Sequence, residues 1–212
     1  MYKFSLVICT MALLSGSAYA QTIIDQWDSV KAPPAPVLQA VKADPATTAF
    51  LVLDISVVKA TNKGPCNSDV TLCTQSVPFV KAMLEKARAA GVYVVYSVSS
   101  ATDAKDILPP VAPQPNDPVV KSGPDKFVNT NLAELLAAKN IKTVIIVGVS
   151  ADGAVLNTAT DAILQHGMNV IIPVDGVSAK SLYVEQYVAW FFTHAPVIAT
   201  RAVITKGDMI SY

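Results

Sequence analysis

The sequence predicts an α/β protein built on a parallel sheet with helices on both of its faces. Three observations carry that expectation. Apolar runs such as AFLVLDI (49–55) and TVIIVGV (143–149) are continuous rather than alternating, as strands covered on both faces require. Amphipathic stretches at helical spacing lie between these runs, and the connections are short, so successive strands must be joined by right-handed crossovers.

The composition narrows the rest. In 212 residues, 52% are hydrophobic and 15% charged, with 16 basic side chains against 16 acidic ones. A chain this apolar can bury a core, which excludes disorder, and without a basic excess it does not suit binding to nucleic acid. Nine glycines and fourteen prolines without a period exclude collagen-like and solenoid folds.

Residues 1–20 have the pattern of a secretory signal. Lys3 precedes an apolar run, and Ala18-Tyr19-Ala20 supplies an A-x-A cleavage site before Gln21. No later segment reaches a membrane-spanning length of apolar residues, so no membrane contact is expected after cleavage. Export to the periplasm or beyond places Cys66 and Cys73, seven positions apart in a turn-rich stretch, in an oxidising compartment, where a small disulfide loop is expected. Residues 21–47, with Pro33, Pro34, Pro36 and Pro45, read as an irregular segment, and a single domain follows over 48–212.

Element by element, 49–55 is the first buried strand and ends near Asp54. Ser76 to Ala90 reads as a helix with Ser76 as N-cap, Pro78 in the first turn and Gly91 past the end. A strand over 92–98 follows. Residues 99–118 hold five prolines and form a long loop of the kind that covers a site. Val119-Val120-Lys121 is extended, 130–139 helical, 143–149 a strand, 152–165 a helix with Asp152 as N-cap, and 168–174 a strand. A helix over 181–193 carries Tyr183, Tyr187, Trp190 and Phe191 as a core or subunit-interface stripe, and 197–204 is a last strand.

In open parallel sheets the ligand crevice lies beyond the carboxyl ends of the strands. Asp54, Lys121 and the turn Val149-Ser150-Ala151-Asp152-Gly153-Ala154 should therefore share one edge. An acid and an amine at the ends of apolar strands are expensive to bury singly and are expected to face each other or water. The helix opening at Gly153 is expected to offer backbone N–H groups to an anion. His166 and His194 fall at helix ends, where a cap is the expected role.

These residues carry a resemblance. LVLD ending at Asp54, VVK ending at Lys121, and VIIVGVSADGAVLNTATDAILQHGMNVIIPVDGVSA from Val144 to Ala179 are similar to the isochorismatase-like hydrolase superfamily, or cysteine hydrolases, over roughly 48–206. The resemblance implies a three-layer αβα fold with about six parallel strands, a homo-oligomer of two or four copies, a small-molecule substrate and no cofactor. It maps the family's Asp, Lys and Cys triad onto Asp54, Lys121 and Ala154. The pattern G-x-x-T-D-x-C-V-x-x-T-A is met at Gly148, Asp152, Val155, Thr158 and Ala159, and departs at Ala154, where the cysteine belongs. By resemblance, Val149, Ser150 and Gly153 shape the substrate pocket, and Val149–Ser150 is a cis peptide.

Alanine at 154 removes thiolate attack, so amidase chemistry by that route is not expected. Metal-dependent relatives add an Asp and two His in the loop after the second strand. That loop has Asp103 and Asp106 without histidine, so no metal is expected. Isochorismatases that cleave a vinyl ether resemble this chain in keeping the acid and lysine with a small residue at the cysteine position. The expectation is therefore a cysteine-independent hydrolase with Asp54 as general acid and Lys121 as its partner. An inactive exported protein that binds a small molecule or another protein is the alternative.

Overall fold

The computed structural model describes residues 22–69 and 71–212. The signal sequence expected over residues 1–20, and its expected cleavage point, lie outside the described residues. Residues 22–34 belong to one compact unit and Ala35–Tyr212 to another. In the first, a 3-10 turn over Ile23–Ser29 is closed by the Asp25 carboxylate, which accepts from the backbone N–H and hydroxyl of Thr22. Ile23, Ile24, Trp27 and Val30 are exposed.

The second unit is built on a parallel sheet. Its strands are β2 (Thr48–Leu53), β3 (Tyr93–Ser99), β4 (Val119–Ser122), β5 (Thr143–Val149), β6 (Asn169–Pro173), β7 (Val177–Ser178) and β8 (Ala202–Thr205). The order is β4-β3-β2-β5-β6-β8, with the short β7 pairing beside the end of β5. A separate two-stranded parallel ribbon joins β1 (Val41–Lys42) to β9 (Ile210–Ser211). Among the described residues the four α-helices are α1 (Thr71–Ala89), α2 (Leu132–Ala138), α3 (Leu156–Leu164) and α4 (Leu182–His194).

Alternating residues of each strand serve two cores. Phe50, Val52, Val94, Tyr96, Ile145 and Val147 pack with Val77, Val80, Leu84 and Ala87 of α1. Leu51, Leu53, Val95, Ile146 and Val170 pack on the other face with Leu136, Ala159, Ile163, Val188 and Phe192 of α2, α3 and α4. This is the expected parallel α/β architecture with both faces covered.

Several boundaries move, each for a local reason. The first strand stops at Leu53 because Asp54 turns into the left-handed region, with φ of 57°. Helix α1 starts at Thr71, so Ser76 is an internal residue whose hydroxyl donates to the Cys73 carbonyl, and Pro78 lies inside the helix. The Cys66–Cys73 disulfide forms as expected and fastens the preceding loop to this first turn. Asp152 does not cap α3. It sits within a π-helical turn over Ala151–Val155 and accepts from the Ser150 hydroxyl. The last strand is shorter than expected because Val197 takes φ of 67° and Ile198–Thr200 form a 3-10 turn.

Of the aromatic stripe on α4, Phe191 packs against the core cluster and edge-on to Phe192, while the other three lie outside it. Val188, Ala189 and Phe192 face inward, Tyr183 and Tyr187 are exposed, and Trp190 stacks on His194 with ring centroids 4.5 Å apart. Among the described residues no helix is long and apolar enough to cross a membrane.

Candidate functional site

Asp54 follows β2, at the middle of the sheet, and is 5% exposed. Its left-handed backbone turns the chain sharply, and its amide N–H donates to the Ser97 carbonyl at the end of β3. The side chain is held at both oxygens: the Ser97 hydroxyl donates to Oδ1 at 2.8 Å, and the Lys126 ammonium to Oδ2 at 2.7 Å.

Lys126, not Lys121, is therefore the partner of Asp54. Lys126 is fully buried, and its three ammonium protons find the Asp54 carboxylate, the Gly123 carbonyl at 2.7 Å and the Ser122 carbonyl at 3.5 Å. Its backbone is fixed as well, with the N–H donated to Thr158 Oγ1 at 3.1 Å and the carbonyl accepting from Thr130 Oγ1 at 2.6 Å. Lys121 pairs instead with Asp103 at 2.8 Å, both side chains about half exposed or more. Strand geometry decides between them. Successive side chains of β4 point to opposite faces, Val120 is buried, and Lys121 must point away. The readable signal was a lysine between Asp125 and Phe127 in the turn that follows the strand.

Burial pushes the Asp54 carboxyl above its ordinary range, and the pull of Lys126 and of the Ser97 hydroxyl offsets that only in part. Desolvation wins, so the acid is easier to keep protonated than an exposed aspartate. This is the direction that a proton donor needs.

The third expected contributor is the turn after β5. Leu53 and Gly148 are direct neighbours across β2 and β5, which puts this turn beside Asp54 at the same edge of the sheet. A Cβ at Gly148, where φ is 128°, would lie 2.0 Å from the Leu53 carbonyl oxygen, so only glycine permits this approach. The Val149–Ser150 peptide is cis, as the resemblance implies. Ala154 is 4% exposed and packs in the cluster that holds Leu53, Phe127 and Val155. The Gly153 N–H is not open to an anion as expected, because it donates to the Ser150 carbonyl at 3.1 Å. Ser178 lies opposite Val149 in register, and its buried hydroxyl has no hydrogen-bond partner among the described residues.

Both cysteines of the described residues are in the disulfide, so these residues offer no free thiol. Among them, no three His, Cys, Asp or Glu side chains gather as a metal-binding set. Residues of the Lys126 loop line a crevice of about 420 Å³, with Lys121, Ser122, Gly123, Asn129 and Asn157 among its walls.

The fold and this pair define an α/β protein with its polar site at the carboxyl ends of central strands. The isochorismatase domain model matches residues 48–202, and the chain belongs to that family. It is 30% identical over 118 residues to the secreted isochorismatase effector Isc1 of Verticillium dahliae, an alignment taking in 50% of this chain and 62% of that protein. The chain thus spans less than two thirds of that relative's length. Among solved structures, a cysteine hydrolase from Pseudomonas syringae pv. phaseolicola superposes with a TM-score of 0.66 at 21% identity, covering 82% of this chain and 94% of the other. An N-carbamoylsarcosine amidase from Thermoplasma acidophilum gives 0.63 at 24% identity, covering 76% and 97%. A nicotinamidase from Staphylococcus aureus gives 0.62 at 20%, covering 76% and 99%. These structural likenesses establish the fold.

Proposed function

We propose that the chain is an exported hydrolase of a small organic molecule that works without a thiolate, with Asp54 as general acid and Lys126 in the partner role first assigned to Lys121. The observation that carries this reading is the buried Asp54–Lys126 pair, at 2.7 Å, beside a turn with alanine at the family's cysteine position. Such a site can give and retake a proton but has no sulfur nucleophile.

A vinyl ether of the isochorismate type fits that chemistry. The protonated Asp54 carboxyl gives its proton to the terminal vinyl carbon, and the ether carbon becomes an oxocarbenium ion. Water adds at that carbon and returns a proton to the carboxylate. The resulting hemiketal then releases an alcohol and leaves a ketone. Lys126 keeps the carboxylate left after proton donation from standing unpaired in an apolar setting. Placement outside the cytoplasm is supported by the leader pattern of residues 1–20, the Cys66–Cys73 bond and the secreted relative.

The test is direct. Purified mature protein is incubated with isochorismate and with simple enol ethers, and the released ketoacid is followed by chromatography. Turnover by the natural protein that disappears in Asp54→Asn is the expected result. Equal silence of both forms on every vinyl ether removes the reading. Thermal stabilisation by the same compounds without product would favour a binding protein.

A further inference from the structure

Lys126 reaches Asp54 from a loop, and a loop lysine needs something to hold it there. Two consecutive residues of that loop, Lys126 and Phe127, are engaged by α3 and the turn after it. The Lys126 N–H donates to Thr158 Oγ1 at 3.1 Å, and Thr158 is fully buried. The Phe127 ring stacks on His166 with centroids 4.3 Å apart and planes 28° from parallel. His166 Nε2 lies 3.7 Å from the Asp161 carboxylate. Beside them, Asp125 Oδ1 accepts from the Phe127 N–H at 3.0 Å; burial pushes the Asp125 carboxyl up, that bond opposes it, and the Asp161 carboxyl raises it further while His166 pulls it back.

Within the loop, the Ser122 hydroxyl lies 2.7 Å from the Asp125 carbonyl and 2.9 Å from the Val128 carbonyl, the two acceptors its one proton can reach, and Phe127 is the chain neighbour of Lys126. A displacement at Phe127 therefore becomes a displacement at Lys126. The other ionisable groups around His166 are Glu134 of α2 and Lys142, which line a second crevice together with His166, and Arg201, which donates to the neighbouring Gly167 carbonyl.

We propose that His166, with Thr158, is a positioning residue for Lys126, so that the end of α3 fixes how firmly the ammonium is presented to Asp54. His166 does this by stacking on Phe127, with its Nε2 3.7 Å from the Asp161 carboxylate. It touches no reacting atom. The proposal rests on the Asp54–Lys126 site described above, but not on any particular substrate.

The experiment reads the pair itself. Carboxyl carbon-13 NMR follows the titration of Asp54 in the full chain, which requires no turnover. Lys126→Met sets the scale, since removing the cation must displace the Asp54 midpoint upward. His166→Leu and Thr158→Val are expected to displace it in the same direction by at least a third of that amount. Thr158→Ser, which restores the hydroxyl, returns it to the wild-type position. His166→Phe, which keeps the stacking, lies between the wild type and His166→Leu. An Asp54 midpoint unmoved in His166→Leu, while Lys126→Met moves it, overturns the proposal. If His166→Leu does not fold, an unmoved midpoint in His166→Phe does so. Should Lys126→Met itself leave Asp54 unmoved, the pair is not coupled and both this inference and the catalytic reading fall. Absence of turnover on enol ethers, with the displacements intact, removes the catalytic reading alone.

Discussion

At Asp54 burial acts against one cation and one hydroxyl, and the balance has a measurable consequence. Because the folded-state pKa lies above the ordinary value of 3.8, the folded chain holds this proton more tightly than the unfolded one. The stabilisation that follows is complete below the unfolded-state pKa and is lost as pH rises through the folded-state value. The same rise removes the acid form, so a rate that depends on Asp54 as proton donor must fall through that interval. Lys126→Met removes the charge that opposes burial. A buried carboxylate left without its partner costs about 3–5 kcal/mol, and protonation relieves it. Urea unfolding at about pH 8 should therefore show a loss near that size, and at about pH 4 a clearly smaller one. Lys121→Met, which removes only an exposed pair with Asp103, should leave the transition in place at both. Equal losses for the two lysines would contradict the assignment of Lys126.

Among the elements, the junction of β2 with β5 and the loop before α1 are set by single residues. Gly148→Ala must either displace the Leu53 carbonyl or open the strand pair, so its thermal midpoint should fall sharply. Gly153→Ala meets nothing nearer than the Ser150 side chain at 3.6 Å and should fold normally. The Cys66–Cys73 bond spans a separation of seven residues. A loop of that size gives about 2.5 kcal/mol of stabilisation through the chain entropy of the unfolded state. Denaturant unfolding with and without reductant should differ by that amount, and coincident curves would show that the bond contributes nothing. The strands over 49–55 and 143–149 were legible because two-sided burial writes itself as an unbroken apolar run. Helix α1 was misread because its first turn, Thr71-Leu72-Cys73-Thr74, precedes a proline that resembles a helix start. The partner of Asp54 was misread for a related reason. Sequence position names Lys121, while β4 alternation turns it outward and a hydrogen-bonded loop carries Lys126 in.

For the molecule as a whole, the sheet order places stability and chemistry in different strands. Strands β2 and β5 are central, and all six residues of β2 are buried, five of them shared between two apolar clusters. Strand β4 is at an edge, with one neighbour and one buried residue of four. Amides in the middle of an ordered core exchange with solvent only when the whole fold opens, whereas edge elements open locally. Native-state hydrogen exchange should thus find the slowest amides at Phe50, Val52, Ile145 and Val147, with a free energy of opening equal to that of global unfolding. The amides of Val119–Ser122 should exchange faster and respond weakly to denaturant. Asp54 then stands on the most persistent part of the fold while Lys126 is delivered from an edge, and α3 is the element that links the two. Removing the Thr158 hydroxyl should accelerate exchange from Lys126 to Thr130 without altering β2. If Thr158→Val instead speeds exchange in β2 and β5 as much as in the loop, the loop and the sheet open together, and the division of the site into a fixed acid and a separately held cation is wrong.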